Sequence, residues 1–346
     1  MKLKFLGVLM LCTFLLTFGS TARAATISWT ANAIGDWSNT ANWVGGVLPA
    51  VGDTARINDG NATLDSSQTI ACFQMGATTA PAVNAKLNIN GSNLTVSGTS
   101  TELFGLCRFT GSTGTVNHSA GTVTVSQPAG TLGEVRLVTG SGVTAGTANY
   151  NLSDTAILDT QILSRGLKSI TTANFNASGG TLVIRTKINK FGRIAEGAGY
   201  GFNQGMCTLE VGAIGTVGAI TVGDGSNSMD YAFAGGTLAI DIASAVSYDT
   251  VLQYGDLCNT TGAGLVVNLL GGYVPTVNSF FDVWTFFNKA KAGSGLFASL
   301  PSGWTAVWVD TNADLSTDTL RLTYIPEPAT IALLGLGLLA IRRNKK

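Results

Sequence analysis

Short apolar runs separated by glycine-rich turns recur along most of the chain. Two of them are nearly the same phrase, Ser178-Gly179-Gly180-Thr181-Leu182-Val183-Ile184 and Ala234-Gly235-Gly236-Thr237-Leu238-Ala239-Ile240. Superposing them defines a register in which an apolar residue returns at Leu64, Leu94, Val123, Leu152, Leu182, Leu209, Leu238 and Leu265, in steps of about 27 to 30 residues, a period expected of stacked repeats. Seven positions before each mark stand Ile57, Leu87, Val116, Ala145, Phe175, Phe202, Tyr231 and Cys258. The next residue is Asn58, Asn88, Asn117, Asn176, Asn203 or Asn259 in six of the eight places, and Gly146 or Ala232 in the other two. Such a column has a physical reason. When coils stack about 4.8 Å apart, identical amides sit above one another, and each donates to one neighbour while accepting from the other.

After the marks, apolar and hydroxyl residues alternate, as in Leu94-Thr95-Val96-Ser97 and Val123-Thr124-Val125-Ser126, which puts one face inward and one toward water. The pattern predicts an all-β fold: a β-solenoid, in its simplest form a right-handed parallel β-helix of about eight coils, over residues 57–270. A set of antiparallel sandwiches is the competing arrangement. Residues 25–56 hold Trp29, Trp37 and Trp43 among glycines, and are read as a cap for the open solenoid end. A sugar-stacking platform is the alternative use of these rings. Residues 271–325 hold three longer strand-like runs, from Phe280 to Phe287, Trp304 to Val309 and Leu320 to Ile325, read as a C-terminal β cap. Between the last two, Asp310 to Asp318 has acids at calcium-loop spacing. Leu315 and Arg321 stand where glycine and a bidentate acid are required, so a polar hairpin loop is expected.

The two ends follow different rules. Lys2 and Lys4 precede an apolar stretch from Phe5 to Phe18, and Ala22-Arg23-Ala24 has the small-x-small form of a signal-peptidase site. Residues 1–24 are therefore expected to be a signal peptide, with the mature chain starting at Ala25. At the other end, Pro326-Glu327-Pro328 is followed by an apolar segment from Ala329 to Ile341 and by Arg342, Arg343, Lys345 and Lys346. The prolines block continuation of preceding structure, and the basic end should remain cytoplasmic. Residues 326–346 thus read as a terminal tail with a short transmembrane helix.

This tripartite tail resembles the PEP-CTERM sorting signal of Gram-negative bacteria. The resemblance implies an exosortase-type processing enzyme as partner, membrane contact through the C-terminal helix, and exopolysaccharide or biofilm surroundings. It also implies an inner-membrane-anchored precursor with a periplasmic ectodomain, which later reaches the cell surface or the medium. The Trp-Gly-rich entry segment is similar to the start of autotransporter-passenger and PEP-CTERM ectodomain repeats.

Composition narrows the chemistry. The chain has 20 basic and 20 acidic residues, but seven of the bases and only Glu327 of the acids lie in the terminal segments. The mature part is net acidic, which argues against nucleic acid as a partner. With His118 as the single histidine and no C-x-x-C pair, neither a metal site nor a cofactor is called for. Cys72, Cys107, Cys207 and Cys258 remain after signal removal, and Cys207 and Cys258 are expected not to be bridged, because they fall in different columns two coils apart. Only Arg185, Glu210 and Asp241 could gather charge on successive coils. They define the alternative function, a polysaccharide lyase or glycoside hydrolase. The main expectation is a non-catalytic cell-surface or matrix protein, with extracellular polysaccharide as a candidate partner.

Overall fold

A computed structural model of the chain describes residues 24–76, 83–99, 103–127, 133–139, 146–166, 172–189, 202–223, 229–232, 235–255, 257–259, 262–286, 297–311 and 319–325. Strand follows strand, and coil stacks on coil in parallel, to give a β-solenoid of about seven turns. One face is a six-stranded parallel sheet in chain order: Ile34–Asp36, Gly60–Leu64, Asn84–Asn90, Ser112–Ala120, Gly146–Leu152 and Thr172–Ala177. A separate three-stranded sheet, Phe202–Asn203, Tyr231–Ala232 and Leu257–Asn259, serves the later coils. The remaining strands stack into a 19-stranded sheet.

The repeat register holds along most of this stack. Leu94 pairs with Val123, Leu182 with Leu209, Leu209 with Leu238 and Leu238 with Leu265. It slips twice. Val123 pairs with Leu158, and Leu158 with Leu182, so Leu158 rather than Leu152 is the mark of that coil. Leu94 pairs with Gln68, not with the expected Leu64. Leu64 and Leu152 are buried on the six-stranded face instead. The cause is unequal coil length. Equivalent asparagines on that face are separated by 29, 34 and 25 residues, and a count at constant period cannot see an insertion followed by a deletion.

Inside, an aromatic column runs from coil to coil. Trp37, Phe73, Phe104, Tyr150, Phe175, Phe202, Tyr231 and Trp284 are in successive contact, with centroid separations between 4.7 and 6.3 Å. All eight are buried. Each such pair adds about 0.5 to 1.5 kcal/mol beyond area burial, so the spine ties the stack together with little dependence on sequence period, although the strands from Ser112 to Val138 contribute none of these rings.

The two ends of the stack close differently. Trp29, Trp37 and Trp43 are only 1, 0 and 2 % exposed and meet edge to face, at 5.0 Å for Trp29 with Trp43 and 4.7 Å for Trp37 with Trp43. The Trp43 indole donates to the Trp37 carbonyl at 2.8 Å. These rings fill the solenoid's first opening and have no face left for a sugar to stack upon. At the far end Phe280–Phe286 pairs parallel with Thr250–Gln253 on one side and antiparallel with Thr319–Tyr324 on the other, and Trp304–Val309 completes the hairpin. Arg321 bridges Asp282 at 2.7 Å across that turn in direction. The Asp310–Asp318 loop falls largely outside the described residues, but the strands it joins pair as a hairpin requires.

Candidate functional site

The strand Ser112–Ala120 alternates buried and part-buried residues, so Thr113, Thr115, Asn117 and Ser119 face out in a row while Ser112 and His118 are buried. On the six-stranded face that alternation brings asparagines into register: Asn88 with Asn117, Asn117 with Asn151 and Asn151 with Asn176. Their amides form a ladder. Asn88 Nδ2 donates to Asn61 Oδ1 at 2.7 Å, Asn117 to Asn88 at 2.9 Å, Asn151 to Asn117 at 2.8 Å and Asn176 to Asn151 at 2.9 Å. A parallel rung joins Asn174 to Asn149 at 2.8 Å. Of the six asparagines read from sequence, Asn88, Asn117 and Asn176 stand in this ladder. Asn58 stands apart, its Oδ1 buried without a hydrogen-bond partner. Asn151 takes the place that constant spacing gave to Gly146, whereas the position opposite Asn88 is Thr63, and Asn61, two residues earlier, joins the ladder through its side chain alone. The backbone of Asn203 pairs with Ala232, as does that of Asn259, and the side chains of Asn203 and Asn259 lie outside the described residues.

Where the six-stranded face ends, a cleft of about 550 Å³ opens over the last three rungs. Asn117, Asn151 and Asn176 line it together with Ser119, Ser153 and Ser178, and Phe175 and Leu152 form its apolar part. The signal for it was in the sequence as a thrice-repeated Asn-x-Ser phrase, Asn117-His118-Ser119, Asn151-Leu152-Ser153 and Asn176-Ala177-Ser178. Uneven spacing hid it. Beneath the rungs, His118 Nε2 lies 3.0 Å from the Gly121 carbonyl, which can only accept, so Nε2 carries the proton and Nδ1 accepts from Tyr150 at 3.0 Å. Burial holds the His118 ring down at about 4, against the partial support of the Gly121 bond, so the cleft floor is neutral at physiological pH.

The charged trio divides. Arg185 turns back to the preceding coil and bridges Asp159 through both guanidinium nitrogens. Asp241 is 1 % exposed and accepts from Asn268 at 2.9 Å on the following coil. Beside it, the fully buried Asp249 accepts from the backbone amides of Gly218 at 2.6 Å and Asp241 at 2.7 Å. Burial pushes the Asp249 carboxyl up to about 7, the two amide bonds pull it back, and Asp241 and Glu210 push it further up. Burial and then Asp241 raise Glu210 as well. Sequence reading missed Asp249, which lies outside the repeat columns. The three acids brace a corner of the stack, and Arg185 takes its partner elsewhere.

Cys107 and Cys207 are free, buried thiols. Burial raises Cys107 to about 11 and Cys207 to about 12, so neither is a ready nucleophile at neutral pH. The Cys258 side chain lies outside the described residues, as do Ala22, the tail residues Pro326, Glu327, Pro328, Arg342 and Arg343, and the whole apolar segment between them. Ala24 and Ala25 are exposed at the start of the described chain, and the Ala25 amide donates to Asp53 at 2.9 Å. Among the described residues no helix is long and apolar enough to cross a membrane.

Fold and site together define an all-β solenoid with closed ends and a polar, uncharged cleft on one face. Residues 325–346 match the PEP-CTERM protein-sorting motif, beginning at the residue that follows the last strand of the C-terminal hairpin. The motif marks an exported, surface-directed protein recognised by an exosortase. No curated protein and no solved structure matches the chain.

Proposed function

We propose that the mature protein is a non-catalytic, rigid surface rod that an exosortase releases from an inner-membrane precursor and that meets exopolysaccharide outside the cell. The observation that carries this reading is the order of parts: a solenoid closed at both ends, then at once the sorting motif. In this reading the apolar segment of the tail is a short helix that holds the ectodomain in the periplasm until cleavage near Pro326 to Pro328. At about 1.5 Å per residue it is shorter than the bilayer core, which suits a temporary anchor. Export also remakes the N-terminus. Cleavage before Ala25 turns the amide that faces Asp53 into an ammonium, so a neutral hydrogen bond becomes an ion pair that fastens the first coil.

Intact-mass measurement of the surface-located form, with fractionation of cells expressing the chain with and without residues 326–346, tests the reading. The expected species starts at Ala25 and lacks the basic end. A surface species still ending in Lys346 would replace exosortase release with permanent anchoring. Release of reducing ends or unsaturated sugars from polysaccharide, lost in Glu210→Gln, would replace the non-catalytic role with an enzymatic one.

A further inference from the structure

The ladder leaves hydrogen-bonding capacity unspent on its outer side. Each asparagine amide has two N–H groups and two carbonyl lone pairs, and stacking uses one donor and one acceptor per rung. One row further on, Ser119 donates to Asn90 at 3.1 Å and Ser153 to Asp154 at 3.0 Å, so both hydroxyl oxygens keep their accepting capacity. Every coil therefore offers the cleft an amide and a hydroxyl side by side, renewed about every 4.8 Å along the stack, close to the length of one pyranose ring. Leu152 is 1 % and Phe175 8 % exposed, so they seal the cleft floor and recognition falls to the polar rungs. Among the described residues lining the cleft none is basic, His118 is neutral, and the carboxylate of Asp154 stands beside Ser153. An anionic ligand would meet no compensating charge there.

We propose that this cleft binds a neutral polysaccharide, laid along the solenoid axis with successive sugars on successive Asn-x-Ser rungs. The inference rests on the reading of an exported rod that meets polysaccharide, and adds the site and the charge class of the ligand. The volume, about 550 Å³, is in the range of sites for ligands of a few rings. Gly205 makes the lower wall possible. Its φ is +65°, and a Cβ there would stand 2.3 Å from the Ala177 carbonyl, so only glycine lets the next coil close under the cleft. The Asn-x-Ser phrases also fit the acceptor pattern for N-linked glycosylation. Here each amide nitrogen is engaged by the neighbouring rung, which favours recognition of a chain over attachment of one.

The test is affinity electrophoresis of the full-length protein in mild detergent, through native gels containing hydroxyethylcellulose, dextran, galactomannan or polygalacturonate. We expect retardation by at least one of the three neutral polymers and not by polygalacturonate. The triple variant Ser119→Ala, Ser153→Ala, Ser178→Ala should weaken it at least fivefold without lowering the melting temperature. Ser97→Ala with Ser126→Ala, on another face, should change nothing. Retardation by none of the neutral polymers, equal or stronger retardation by polygalacturonate, or an unaltered triple variant would each overturn the proposal. None of these outcomes bears on export, which the fractionation and mass measurements decide separately.

Discussion

The coils behind the six-stranded face and those behind the three-stranded face share one spine and differ in how their corners are held. In the first region the polar groups that repeat are outside, as an amide ladder from Asn61 to Asn176. In the second they are inside. Gln204 is fully buried and donates to the Cys207 and Thr237 carbonyls at 2.6 and 2.8 Å, while Tyr231 donates to its Oε1 at 2.7 Å. Gln253 repeats the device, accepting from the Trp284 indole at 2.9 Å. An outer ladder needs long, regular strands to keep its rungs level. The three-stranded face has strands of two and three residues, too short to carry one, and buried amides take over the satisfaction of corner carbonyls.

The largest effect expected from this difference is at Tyr231. Tyr231→Ala removes a ring packed against Phe202 and Trp284 and should cost about 3 to 5 kcal/mol, whereas Tyr231→Phe keeps those contacts and loses about 1 to 3 kcal/mol by leaving Gln204 Oε1 without that donor. Urea unfolding of both variants measures the split. If Tyr231→Phe costs nothing, the buried amide is not the brace it is taken for. Gly205→Ala comes next, at about 2 kcal/mol, because a side chain at positive φ must also displace the Ala177 carbonyl. Its effect should be centred on the junction of the two faces, which hydrogen exchange of Ala177 and Met206 would locate. An exchange pattern unchanged there would separate the cleft wall from the glycine.

In the outer ladder the expected cost is smaller. Asn117→Ala leaves Asn88 without a donor and Asn151 without an acceptor, but both can turn to water, so about 1 to 2 kcal/mol is expected. Asn58→Ala should cost nothing measurable through the ladder, since Asn58 is not part of it. A melting-temperature series over Asn58, Asn88, Asn117 and Asn151 checks the register directly: a loss at Asn58 equal to that at Asn117 would restore the constant-period alignment.

That contrast shows what the sequence could and could not carry. The fold class was legible because inward positions need apolar residues whatever the coil length, and Leu182, Leu209, Leu238 and Leu265 recur with little variation. The ladder was half legible. Asn88, Asn117 and Asn176 fall at the counted period, while Asn151 sits on a coil whose corner differs in length, corners being set by turns that tolerate insertion, and Asn61 reaches the ladder from two residues off the register. The buried braces were not legible, because Gln204 and Gln253 share a device at only two places and Asp249 stands alone, too few for a period to be counted.

The finest test of the two regions is pH, because their buried titrating groups are opposed. His118 titrates near 4 in the folded chain and near 6.5 unfolded, so between those values the unfolded state binds more protons. Its contribution is whole above about pH 6.5 and is lost as pH falls toward 4. Asp249 titrates near 7 folded and near 3.9 unfolded, so in that window the folded state binds more protons. Its contribution is whole below about pH 4 and is lost as pH rises to 7. The carboxylates of Asp241 and Glu210 face Asp249 and sharpen this loss, while among the described residues the Tyr150 hydroxyl and the Gly121 carbonyl are bonded to the His118 ring. Lowering the pH from 7 to 5 should therefore loosen the coils around Ser112–Ala120 and Gly146–Leu152, and tighten those around Ala219–Val222 and Thr250–Gln253. Hydrogen exchange corrected for its intrinsic pH dependence reads both in one experiment. Asp249→Asn should abolish the tightening alone, and His118→Gln the loosening alone. Movement of both regions in the same direction, with neither variant altering it, would show that exposed carboxylates govern acid stability and that the two buried groups do not set the regions apart.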